Sequence, residues 1–129
     1  MKQFTFLELR SLEVYTLGMR ICPDITFETA NLINKNHFAI KKAISEYQEQ
    51  KDLIEERKKE VTNDSEKLEE VIRDGEKLDK SIFNVEITEL DSDLFKDVKG
   101  ECNMNLSIGN INLPYREIYF TLLEKGIIK

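Results

Sequence analysis

The stretch that decides the fold runs from residue 26 to residue 61, TFETANLINKNHFAIKKAISEYQEQKDLIEERKKEV. Thr26, Ile33, Ile40, Tyr47, Ile54 and Val61 recur every seven residues, with Ala30, His37, Ile44, Lys51 and Lys58 interleaved. Alternating steps of three and four put both sets on one side of an α-helix. Asp24 or Thr26 can cap its start. The stripe is apolar to about Tyr47 and then thins to one good residue in two turns. The spacing predicts a helix that packs on a core at its start and runs outward as a half-exposed arm. About 36 residues would span roughly 54 Å, longer than a domain of this size is wide.

Beyond the arm, Thr62-Asn63-Asp64-Ser65 clusters cap and turn residues. A third helix then carries Leu68, Val71, Ile72 and Leu78, weakened by Gly75. The short turn favours an antiparallel hairpin over residues 24–79, although nothing in it forbids one unbroken helix to about residue 74. Glu55/Lys59, Glu69/Arg73 and Glu76/Lys80 stand in the favourable i,i+4 order.

Working back toward the N-terminus, Thr5-Phe6-Leu7-Glu8 fits a capping box. It opens a helix over 5–18 with Leu9, Leu12 and Tyr15 on one side and Gly18 as its stop. Cys22-Pro23-Asp24 breaks the chain before the long helix. Toward the C-terminus the rhythm becomes alternating. Phe83, Val85 and Ile87, and later Cys102, Met104, Leu106 and Ile108, read as half-buried strands of a two-stranded antiparallel sheet. Asp91-Ser92-Asp93-Leu94-Phe95 suggests a capped helical turn, Gly100 a break and Gly109-Asn110 a tight turn. Pro114 suits the first position of a last helix bearing Tyr115, Ile118, Tyr119, Leu122 and Leu123. Gly126 followed by Ile127 fits a glycine cap. The fold class is α+β. Residues 1–129 form a single domain, in which a protruding hairpin (24–79) adjoins a strand-strand-helix unit (81–129) packed with the helix over 5–18.

The chain has 129 residues, enough for one core without metal or disulfide staples. Its formal net charge is −6, which argues against a general nucleic-acid binder. No apolar run approaches the roughly eighteen residues of a membrane span. Glu8, Arg10 and Glu13 interrupt the start too early for a signal peptide. The expected location is cytoplasmic, and Cys22 and Cys102 read there as free, largely buried thiols. Asn63-Asp64-Ser65 and Asn105-Leu106-Ser107 read as chance glycosylation triplets.

Candidate chemistry is sparse. His37 is the sole histidine. It lies on the long-helix stripe, where a core or hairpin-contact role is expected rather than catalysis. The carboxylates of the middle zone lack metal-site spacing around it. Asp91-Ser92-Asp93 starts like a calcium loop, but Phe95 stands where an oxygen ligand is needed. There is no glycine-rich phosphate loop and no G-x-S-x-G elbow. The run Arg57-Lys58-Lys59 is flanked by Glu55, Glu56 and Glu60, a poor phosphate track. No catalytic residue, cofactor or metal is implied.

Leu32-Ile33-Asn34-Lys35-Asn36 through Tyr47-Gln48-Glu49, Asn84-Val85-Glu86-Ile87, and Leu113 through Leu123 carry a resemblance. Together they resemble small uncharacterised proteins encoded by phages and prophages of low-GC Gram-positive bacteria. The resemblance covers most of the chain and implies a phage accessory context, with no catalytic residues to transfer.

The expectation is a non-enzymatic protein acting by protein–protein contact, self-associating through the hairpin. Tyr47, Ile54, Val61, Leu68 and Ile72 are its candidate interaction residues, because so thin a seam buries little unless a second copy completes it. A phage or host protein is a further candidate partner. Neither nucleic acid nor membrane is expected. Two alternatives stand beside it. One is an inhibitor of a host defence or nucleic-acid enzyme using the acidic arm. The other is a nucleotide-sequestering protein with a pocket between the strands and the last helix, lined by Tyr115, Arg116 and Tyr119.

Overall fold

The computed structural model describes residues 1–98, 103–106 and 111–129. Among the described residues four short strands and four helices follow in the order β1 (Lys2–Thr5), α1 (Phe6–Arg20), α2 (Phe27–Glu60), α3 (Ser65–Asp79), β2 (Ile82–Val85), β3 (Asn103–Leu106), β4 (Ile111–Pro114) and α4 (Tyr115–Glu124). A 3-10 turn, Ser92–Phe95, lies between β2 and β3, with the Asp91 carboxylate accepting from the Asp93 N–H.

The capping box is formed. Thr5 Oγ1 accepts from the Glu8 N–H at 3.3 Å, and Glu8 Oε1 accepts from the Thr5 N–H at 3.1 Å. The second Glu8 oxygen takes Lys125 Nζ at 2.6 Å, tying the start of α1 to the end of α4. Gly18 does not end the helix as expected. It is buried inside α1, which runs on to Arg20 before Cys22-Pro23 breaks the chain.

Thr26 caps α2, which is one helix of 34 residues, about 51 Å long. Asp64 caps α3. The turn at 61–64 reverses the chain, since Lys51 meets Asp79 and Arg57 meets Asp74. The antiparallel hairpin therefore holds and the unbroken helix does not. Gly75 faces α2, where a Cβ would lie 3.6 Å from Ile54 Cγ2.

The strands pair differently from the expectation. Residues 2–5, read as a lead-in, form β1 and take β2 as antiparallel partner, with Phe4 opposite Phe83 and Lys2 opposite Val85. The strand within 102–108 pairs instead with β4, Asn103 opposite Pro114 and Leu106 opposite Ile111. Ile87 lies beyond β2. Phe4 supplies a reason: with β1 beside β2 its ring is buried in the core, 4% exposed. The expected break at Gly100 and turn at Gly109-Asn110 lie outside the described residues, as does Cys102. Pro114 is the N-cap of α4 rather than its first helical residue.

Two apolar clusters result. The larger joins α1 (Leu9, Leu12, Met19), the first half of α2 (Ile33, Ile40, Ile44), α4 (Ile118, Leu122) and Ile127–Ile128. The smaller lies inside the hairpin. Asn36 of α2 staples the chain after β2 onto the larger core. Its Nδ2 donates to the Thr88 carbonyl at 2.9 Å and its Oδ1 accepts from the Thr88 N–H at 2.8 Å. The C-terminus is fastened beside Leu90, with bonds of 2.8 Å from Leu90 N–H to Ile127 O and from Lys129 N–H to Leu90 O. Gly126, at φ +77°, makes that final bend, as expected of a glycine cap.

The two glycines should respond with opposite signs. At Gly75 the added methyl makes an ordinary contact and relieves helix entropy, so Gly75→Ala is expected to raise stability by about 0.5–1 kcal/mol. At Gly126 the left-handed backbone penalises a Cβ, which would also meet Lys2 Nζ at 2.9 Å. Gly126→Ala is expected to lower stability by about 1–2 kcal/mol. Urea denaturation of both variants measures this, and a loss at position 75 would contradict the helix contact described.

Candidate functional site

Candidate interaction residues were expected along the hairpin, and the structure divides them. Tyr47 is only 6% exposed. Its ring stacks within the chain on Phe6, with centroids 3.7 Å apart and planes 19° apart. Phe83 meets it edge-on at 6.0 Å. Its hydroxyl donates to Asp79 Oδ1 at 2.6 Å. Burial and that carboxylate push the Tyr47 hydroxyl up to about 12. Asp79, accepting from Tyr47 and from Lys51 at 3.2 Å, is held below the usual carboxylate range.

Ile54 is likewise covered within the chain, against Val71, Leu78 and Gly75. Val61 and Leu68 are half-buried at the hairpin tip, and only Ile72, 41% exposed, opens to solvent. The seam assigned to a second copy is thus mostly closed by α3. The reason is Val71, Gly75 and Leu78, a face that meets the α2 stripe directly. Lys51–Asp79 and Arg57–Asp74, at 3.2 Å each, frame it across the helices. Of the expected i,i+4 pairs Glu69–Arg73 forms at 3.7 Å, while Glu55 takes Lys58 at 3.3 Å.

What remains open is a trough on one side of the hairpin. It has a volume of about 490 Å³, with Ile54 and Leu78 in its wall and Arg57, Asp74 and Lys77 along its edge. Leu53 lines it and is 60% exposed. On its other side Leu53 adjoins a concavity formed with Glu49, Asp52 and Glu56. Sequence periodicity passes over Leu53 because it falls off the seven-residue repeat. The signal was an apolar residue off the stripe, among charges.

His37 belongs to the larger core and not to the hairpin. It is 3% exposed, and its Nδ1 lies 2.8 Å from Thr16 Oγ1. Thr16 Oγ1 also lies 2.8 Å from the Leu12 carbonyl, so imidazole and hydroxyl form one buried polar pair inside the core. Burial, then Arg20 and Lys41, hold the imidazole below its ordinary value of 6.5. It is a neutral, engaged core group. Cys22 is buried, 4% exposed, beside this core.

The pocket residues Tyr115, Arg116 and Tyr119 do come together. With Ser92, Phe95, Lys96 and Phe120 they line a groove of about 210 Å³ between the 92–95 turn and α4. Burial, Tyr119 and Cys22 push the Tyr115 hydroxyl above the ordinary tyrosine range. Among the described residues no group of His, Cys, Asp and Glu could hold a metal ion. No helix among them is long and apolar enough to cross a membrane. Against family models, curated proteins and solved structures, the chain matches none.

Two outcomes follow from these geometries. Below 6.5 the unfolded chain binds a proton that folded His37 refuses, so stability is whole above 6.5 and falls as pH drops through that value. The limiting slope is about 1.4 kcal/mol per pH unit. Melting curves on either side of 6.5 should show this for the native chain and much less for His37→Gln; identical slopes would contradict it. Glu8 and Asp79, both lowered, act in a separate window below their ordinary values of 4.5 and 3.8. Tyr47→Phe should cost about 0.5–1.5 kcal/mol by removing the Asp79 bond while keeping the stack, and an unchanged urea midpoint would contradict that role.

Proposed function

We propose that the protein is a non-enzymatic accessory protein, of the phage or prophage kind its sequence resembles. It acts by protein–protein contact and pairs with a second copy of itself through the open side of the hairpin. The supporting observation is Leu53, 60% exposed beside the trough that Ile54 and Leu78 help to wall. Covering a leucine side chain fully is worth about 1.5–3 kcal/mol, and the trough offers apolar wall from Ile54 and Leu78.

Charge supports a second copy as the occupant. Glu49, Asp52 and Glu56 flank Leu53 on one side, while Lys77 borders the trough on the other, beside the Arg57–Asp74 ion pair. A two-fold axis through Leu53 sets the acidic flank of each copy against the basic edge of the other. The surface is self-complementary in sign, as an isologous contact requires.

Static light scattering tests the reading. The native chain should be a dimer at high micromolar concentration, and Leu53→Asp a monomer with unchanged far-UV circular dichroism, since Leu53 is exposed in the isolated chain. A native chain that stays monomeric, or a dimer that Leu53→Asp leaves intact, would contradict it.

A further inference from the structure

The groove between the 92–95 turn and α4 is remote in sequence from the hairpin and stands independently of the pairing proposed above. Its wall is a set of rings centred on Tyr119. Phe95, Tyr115 and Phe120 lie 6.0, 5.8 and 5.7 Å from it, centroid to centroid. Phe95 and Tyr115 are buried and fix the floor, whereas Phe120 is 56% exposed. A phenylalanine so placed leaves a ring face available for stacking.

Two cations border these rings. Lys96 and Arg116 line the groove and are exposed. Among the described residues neither has an ion-pair or hydrogen-bond partner. By contrast, the lysines at the other end of α4 and at the C-terminus are engaged: Lys125 with Glu8, and Lys129 with Glu89. What sets Lys96 and Arg116 apart is their place, since both line the same aromatic groove. Rings and cations together match a ligand with a planar ring and an anionic group.

We infer that this groove binds a nucleoside monophosphate, its base against Tyr119 and Phe120 and its phosphate between Lys96 and Arg116. Size and charge select that class. At about 210 Å³ the groove holds one ring system and leaves the phosphate at the rim, being smaller than a pocket for a whole drug-sized molecule. The net charge of −6 disfavours a polyanion, whose further phosphates would run over acidic surface, whereas a single phosphate calls on only the two cations that line the groove.

Amide chemical-shift titration of the whole chain tests this. The probes are adenosine and cytidine 5′-monophosphates, the two nucleosides, inorganic phosphate, and a short single-stranded oligonucleotide. At least one monophosphate should saturably shift the amides of residues 95–96 and 115–120, and its nucleoside and inorganic phosphate should bind about tenfold more weakly or less. Lys96→Ala and Arg116→Ala should each weaken that binding severalfold with the melting temperature unchanged, because both side chains lie outside the core. Phe120→Ala should weaken the nucleoside but not phosphate. The inference is overturned if neither monophosphate shifts those amides, if inorganic phosphate binds as well as the monophosphate, if the double variant Lys96→Ala/Arg116→Ala binds unchanged, or if the oligonucleotide binds more tightly.

Discussion

The packing around Tyr47 is the constraint on which the rest of the structure depends. Its ring lies flat on Phe6 from the start of α1 and receives the edge of Phe83 from β2, and its hydroxyl holds Asp79 at the end of α3. Four elements meet at one side chain. The hairpin is therefore anchored to the body of the protein at its base, by aromatic contact and by a charge-assisted hydrogen bond. Lys51 holds the same Asp79 carboxylate from the next turn of α2, so the carboxylate is shared between two positions of that helix.

Helix α2 consequently serves two cores. Its first half carries Ile33, Ile40 and Ile44 into the larger cluster, and there the polar residues Asn36 and His37 are buried with their bonds satisfied, to Thr88 and Thr16 respectively. Its second half carries Tyr47 and Ile54 into the hairpin cluster with Val71 and Leu78. The thinning of the stripe after Tyr47 does not signal a missing partner along the whole arm. It reflects a change of neighbour, from the several elements of the larger core to the single helix α3, which needs a narrower face. Once α3 has taken that face, the apolar surface left over is Leu53, off the repeat, together with Ile72 at the other side.

The features written into the sequence are those in which one local pattern decides the outcome. The seven-residue repeat located α2, Thr5 and Glu8 located the start of α1, and Gly126 located the final bend, because each is settled by residues within a turn or two. The pairing of β1 with β2 was not legible. It joins residues 2–5 to residues 82–85, and β1 is too short for alternation to register. Gly18 misled because a glycine suits a helix end on its own terms, while in the fold it lies buried within α1. Tyr47 misled for a related reason. A tyrosine at the thin part of a stripe looks outward until Phe6 and Phe83 arrive from distant parts of the chain. The groove was partly legible, since Tyr115, Arg116 and Tyr119 are close in sequence. Phe95 and Lys96 join them only in the fold.

The central claim is that the hairpin closes on itself within one chain, and that association, where it occurs, uses the surface left outside. Amide hydrogen exchange of α3 at decreasing protein concentration tests it most directly. If closure is intramolecular, Val71 through Leu78 stay protected when the chain is dilute enough to be monomeric. If those amides exchange freely in the monomer and gain protection only as the concentration rises, the seam is completed by another molecule and the account fails.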